Sequence, residues 1–107
     1  MISYKVVVDR FAKDSLSNIH NYIATVLLEP MTAKNQIKRL LNAIESLDSL
    51  PKRHPLYYKE PWLSKGLRRL LVDKYVIVYK VDDENKTVAV VAVMNTKRDT
   101  EYLLERL

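Results

Sequence analysis

Apolar residues return along this chain at two spacings, and each spacing predicts a kind of element. From Ser3 to Val8 they alternate, with Tyr4, Val6 and Val8 on one side, which predicts a short opening strand. Asp9 is placed to cap a helix. Ala12, Leu16, Ile19, Ile23 and Val26 then step by four, three, four and three, one continuous apolar stripe. Leu28-Glu29-Pro30 breaks it, and Pro30 suits the first turn of a second helix. The second stripe is Ala33, Ile37, Leu40, Ile44 and Leu47, and Leu50-Pro51 stops it. Helices joined by so short a break form an antiparallel hairpin. Neither can bury its stripe alone, so the pair must lie on a sheet.

The sheet is predicted further on. Leu67–Val72, Tyr75–Val81 and Thr87–Met94 are β-rich runs separated by Asp73-Lys74 and by the polar turn from Asp82 to Lys86. They predict an antiparallel meander. Residues 52–65 have no clear period and contain Pro55 and Pro61, which predicts an ordered loop packed through Tyr57, Tyr58 and Trp62. The one glycine, Gly66, precedes the meander where a bend or bulge is needed. So little glycine excludes a phosphate-cradling glycine loop, whose positive-φ positions would have no residues to occupy them. After Lys97-Arg98, Asp99 can cap a short C-terminal helix through Tyr102, Leu103, Leu104 and Leu107. The predicted order is β-α-α-β-β-β plus that helix. This is an α+β fold in which a helical hairpin packs on a small, mostly antiparallel sheet, and residues 1–107 form one domain.

Composition narrows the chemistry. The chain has 107 residues, 48% of them hydrophobic and 29% charged, which is ordinary globular composition. It has no cysteine, so thiolate metal sites and cysteine nucleophiles are excluded. Two histidines alone make a poor zinc site, and no cofactor or metal is expected. No apolar run approaches the ~20 residues of a membrane span, so a cytoplasmic protein is expected. The net charge of +5 is unevenly placed. Lys52, Arg53, Lys59, Lys65, Arg68, Arg69, Lys74 and Lys80 are opposed only by Glu60 and Asp73 within that stretch. Arg and Lys on neighbouring strands form a surface suited to phosphate or carboxylate.

Each candidate also has a plainer reading. Arg68 and Arg69 could be charges that keep an edge strand from pairing with other chains. Tyr75 and Tyr79 share a face and read as packing rather than as a platform for bases. Tyr102 could simply seat the terminal helix. His20 reads as solvated, His54 has no partner that sequence places beside it, and Trp62 reads as the anchor of its loop. The serines lack a glycine elbow, and no pair of carboxylates has hydrolase character.

The order of these elements, with particular residues in them, resembles the RelE/ParE superfamily of bacterial type II toxin–antitoxin toxins. The resemblance is carried by Ala12-Lys13-Asp14-Ser15-Leu16, Tyr22-Ile23-Ala24, Pro30-Met31-Thr32-Ala33 and Leu47-Asp48-Ser49-Leu50-Pro51. Leu67-Arg68-Arg69, Tyr75-Val76-Ile77-Val78-Tyr79-Lys80-Val81 and Lys97-Arg98-Asp99 complete it. It covers nearly the whole chain and rests on order and spacing, since no single piece is specific.

The resemblance implies a growth-arresting toxin with one of two mechanisms. RelE-like members are ribosome-dependent, metal-independent endonucleases that cut messenger RNA; ParE-like members poison DNA gyrase. The first would use Arg69, Arg98 and Tyr102 as catalytic residues, with Lys65, Arg68, Lys74 and Lys97 contacting phosphate or another anion. Arg68 and Arg69 cannot both line one cleft, because strand side chains alternate. One position departs from the RelE pattern. An arginine commonly follows the first tyrosine of the Tyr-x-x-x-Tyr strand, and here Val76 stands there. Loss of a transition-state donor costs ~2.7–4 kcal/mol, so Val76 and the long helical hairpin favour the ParE-like reading. A third possibility is a basic nucleic-acid-binding domain without toxicity. Either toxin reading implies a cognate antitoxin with a partly disordered, acidic segment, and gyrase or the ribosome with its messenger as target.

Overall fold

A computed structural model describes residues 3–96. The expected C-terminal helix, with Lys97, Arg98 and Tyr102, lies outside them. The chain runs β1 (Lys5–Val8), α1 (Arg10–Asn21), a π-helical turn (Tyr22–Val26), α2 (Pro30–Glu45), two short 3-10 turns (Ser46–Asp48 and Pro51–Arg53), β2 (Leu67–Val72), β3 (Tyr75–Asp82) and β4 (Thr87–Asn95). The four strands form one sheet in the order β1-β4-β3-β2. β1 pairs parallel with β4, and the other two pairings are antiparallel. This is the α+β architecture expected from the pattern.

Local chemistry sets the ends of the elements. The Asp9 carboxylate accepts a hydrogen bond from the Ala12 amide at 2.9 Å, an N-cap that satisfies one of the helix's orphan donors. Pro30 opens α2, where its missing N–H costs nothing. Asp73, at φ 56°, makes the two-residue turn between β2 and β3. Its carboxylate is held from α2 by Gln36 Nε2 at 3.0 Å and by Arg39. Gly66 takes φ 75° with nothing within 4 Å of an added Cβ, so the backbone angle, not space, calls for glycine there.

Two expectations fail in this hairpin. The first stripe does not reach Val26, which is 63% exposed. The helix widens at the π-helical turn, where the Leu27 amide reaches back five residues to the Tyr22 carbonyl. One extra residue in that turn rotates Val26 off the buried side. Positive φ is also not reserved for glycine: Leu28, Leu50, Asp73 and Lys86 all adopt it. For the two leucines, which are exposed, this is backbone strain at the ends of α2.

The sheet is covered on both faces. On one, Ala12, Leu16, Leu40, Ile44 and Leu47 of the helical layer meet Tyr75, Ile77, Tyr79, Val88, Val90 and Val93, with Tyr4, Val6 and Val8 packed at the margin. On the other, Val76, Val78, Leu67, Ala92 and Met94 lie under Tyr57, with Phe11, Trp62 and Val91 around them. The alternation works because β3 side chains point to opposite faces in turn. An extra residue in β4, Val91, sits where the β3–β4 register shifts at Val78/Tyr79. Residues 75–79 are therefore all buried, as expected of a central strand enclosed on both sides.

The second face owes its cover to the segment between α2 and β2. The Tyr79 hydroxyl, on the helix side of β3, donates to the Pro51 carbonyl at 2.5 Å and anchors the start of that segment. Leu56 forms an antiparallel bridge to Arg68, and the Tyr57 amide donates to the Leu67 carbonyl at 2.8 Å. Burial pushes the Tyr79 hydroxyl up to about 12, against the lowering influence of Arg68 and Arg53, so it stays a protonated donor at any physiological pH.

Two substitutions follow from this packing. Tyr79→Phe leaves the Pro51 carbonyl without its donor and is expected to lower stability by ~1–3 kcal/mol in urea unfolding. Val76→Arg, which restores the arginine of the RelE pattern, buries an unpaired charge at a position only 2% exposed. It is expected to destabilise by ~3–5 kcal/mol, read by the same unfolding curves.

Candidate functional site

The basic run from Lys52 to Lys80 spans the covering segment and strands β2 and β3, and three of its cations, Lys52, Arg53 and Arg68, are engaged with carbonyls or a carboxylate. Arg68 points to the helix side of β2 and donates through Nη1 to the carbonyls of Lys52 at 3.2 Å and His54 at 2.8 Å. Arg53 donates to the carbonyls of Leu50 at 3.1 Å and Ser46 at 3.3 Å, and to that of Ser49. Lys52 Nζ pairs with the Asp83 carboxylate at 2.5 Å. That contact, with the Tyr4 hydroxyl bond after it, holds the Asp83 carboxyl below its ordinary range. Arg68 thus acts as a clamp on backbone, and its guanidinium faces the covering segment rather than an open cleft.

Arg69 is different. It points to the second face, opposite Val78 in register, as alternation demands. Its guanidinium carbon lies 5.9 Å from the centre of the Tyr58 ring, over which Lys59 Nζ also sits at 5.9 Å. Its Nε is buried without a hydrogen-bond partner among the described residues. Tyr58 is 68% exposed and stacks on Tyr57, whose ring lies 6.2 Å from Trp62. Burial raises the Tyr57 hydroxyl above its ordinary range, and the Arg69 charge acts against that.

The remaining sequence candidates scatter. Lys74 lies in the β2–β3 turn and is exposed, and its carbonyl accepts from the Thr96 amide at 2.9 Å. Lys65 is exposed just before Gly66, at the start of β2. Arg69, Lys65 and Lys74 are therefore spread along the length of β2 rather than gathered at one point. Lys97, Arg98 and Tyr102 lie outside the described residues, so their relation to Arg69 is not defined. Among the described residues no group of His, Cys, Asp and Glu could hold a metal ion, and no helix is long and apolar enough to cross a membrane.

The chemistry available on the second face is limited by what lies there. Cleaving RNA without a metal requires a base for the 2′-hydroxyl, cations on the phosphate and an acid for the leaving group. Tyr57, Leu67, Val76, Val78, Ala92 and Met94 supply apolar surface. A surface depression does occur at the β3–β4 turn, but Asp82, Asp83 and Glu84 line it beside Lys80. Three carboxylates against one ammonium make it unfit for a phosphodiester. The aromatic lid on Arg69 and the carbonyl-bound role of Arg68 were not visible in sequence, where the two arginines differ only in parity.

Comparison with known proteins matches this geometry. A family model described as ParE toxin of type II toxin-antitoxin system, parDE, matches residues 6–100. No curated protein matches the sequence. Among solved structures, a chain of the chromosomal ParDE toxin–antitoxin system from P. aeruginosa superposes with a TM-score of 0.73 at 16% identity. The match covers 91% of this chain and 100% of that one. A chain of the RelBE2 toxin–antitoxin complex from Mycobacterium tuberculosis gives 0.62 at 18% identity, over 88% and 99%. A mutant of the E. coli toxin RelE in the free state gives 0.61 at 15%, over 98% of both chains. The solved structures share the fold, and with the family model spanning nearly all of the sequence, this chain belongs to the ParE toxin family of type II toxin–antitoxin systems.

Proposed function

We propose that this toxin arrests growth in the ParE manner, by binding DNA gyrase, and that it cuts no RNA itself. The observation that carries this reading is the second face of the sheet. Val76 occupies the place of the RelE-pattern arginine and is buried under Tyr57 and against Met94, in an apolar cluster. A phosphate brought there would lose its hydration and meet no donor from that position. The long helical hairpin, with its exposed apolar tip at Val26, Leu27, Leu28 and Met31, offers instead a surface for protein partners.

The partner implied by the family is a cognate antitoxin whose acidic, partly disordered segment folds as it wraps the toxin. The ParDE and RelBE2 relatives are toxin–antitoxin systems by name, which supports the same arrangement for this chain. A second reading is kept open by Arg69, which faces the second face with an unsatisfied Nε. On that reading the protein is a ribosome-dependent endonuclease, with Arg98 and Tyr102 joining Arg69. Binding of free nucleic acid without toxicity is the weakest of the three, because Arg53, Arg68 and Lys52 are already engaged.

The test uses purified gyrase and relaxed plasmid. The toxin is expected to block supercoiling and to accumulate cleaved plasmid trapped on the enzyme, and its antitoxin to reverse both. Unchanged supercoiling, with a preparation that arrests growth when expressed in cells, would reject the gyrase reading.

A further inference from the structure

His54 sits where the covering segment meets the sheet, and no role described so far uses its imidazole. Its Nε2 is buried with no hydrogen-bond partner among the described residues. The ring meets Tyr79 edge-on, with centroids 6.3 Å apart and planes at 89°. The charged and titratable groups around it are Arg53 from the preceding turn, Arg68 from β2, which holds the His54 carbonyl at 2.8 Å, and Tyr79 from β3. No carboxylate pairs with it among the described ion pairs.

We propose that His54 is a proton-operated latch: the neutral ring lets residues 50–58 dock on the sheet, and the imidazolium releases them, uncovering the β2 edge and the apolar face beneath Tyr57. A cation formed at this place would be partly buried, with no acceptor for Nε2 and two guanidinium groups close by. Burial first, and the Arg53 charge second, hold the His54 imidazole below its ordinary range. The released segment takes up its proton near the free-imidazole pKa of ~6.5, the docked one only at lower pH. Between those values the released form binds more protons, so acid favours release. Docking is at full strength above the free-imidazole value and weakens as pH falls through it.

Release would break identifiable contacts. The Tyr57 amide would leave the Leu67 carbonyl, and the Arg69 amide would leave the Pro55 carbonyl at 3.0 Å. Trp62, the chain's one tryptophan, would lose its contact with Tyr57. Strands β3 and β4 would keep their own pairing. The event is therefore local and can be told from unfolding.

The experiment is an NMR titration of the full chain from pH 8 to pH 5, with amide exchange and Trp62 fluorescence on the same samples. The His54 ring signals should titrate below the free-imidazole range. After correction for intrinsic exchange, protection of the Tyr57 and Arg69 amides should fall several-fold across that titration, while β3 and β4 amides stay protected. Trp62 emission should shift with the same midpoint. His54→Gln should abolish the shift and His20→Gln should leave it. Ring signals of His54 that titrate in the free-imidazole range, or Tyr57 and Arg69 amides whose protection does not change, would overturn the latch from the unaltered chain alone. A Trp62 transition that persists in His54→Gln would do the same.

Discussion

The hydroxyl of Tyr79, donated to the Pro51 carbonyl on the helix side of the sheet, anchors the segment that goes on to close the other side. It ties the segment leaving α2 to the central strand, and from that anchor the chain runs along the β2 edge and lays Tyr57 over Val76 and Val78. The helices already cover the other side. A four-stranded sheet closed on both faces gains apolar burial on each, at ~25 cal/mol per Å². It also gives up an open floor. The gyrase reading proposed above rests on this constraint, since a closed face leaves the rim and the hairpin as the surfaces open to a partner.

Charge follows the same logic. The sequence concentrates cations between Lys52 and Lys80, yet the fold directs Arg68 and Arg53 onto backbone carbonyls and Lys52 onto Asp83. These contacts satisfy the carbonyls of irregular chain, which lack a ladder or helix to do so. The positive field remains at long range, where it can steer an acidic partner. At short range Arg69 faces the apolar side beside Lys59, and among the described residues its Nε has no hydrogen-bond partner.

Much of the architecture was legible because it rests on local rules. The two spacings of apolar residues, the Asp9 cap, Pro30 at the start of α2 and the Asp73-Lys74 turn each carry their own physical cause, and each stands where expected. The alternation that sets Arg68 and Arg69 on opposite faces was legible for the same reason. What failed was decided at a distance. A periodic pattern gives no sign that the helix will widen by one residue at Tyr22 and turn Val26 outward. Nothing in the sequence around Leu28 or Leu50 announces the left-handed backbone found there. The covering segment is aperiodic, so its part in closing the second face, the clamp by Arg68 and the burial of His54 Nε2 appear only once the strands are assembled.

The proposal that this toxin cuts no RNA rests on the closed, apolar second face of its sheet. It is tested most directly in a purified translation reaction programmed with one messenger, with the transcript mapped by primer extension. With protein equimolar to ribosomes, the account predicts a full-length transcript. Cuts that appear only when ribosomes are present, and vanish with Arg98→Ala, would contradict it.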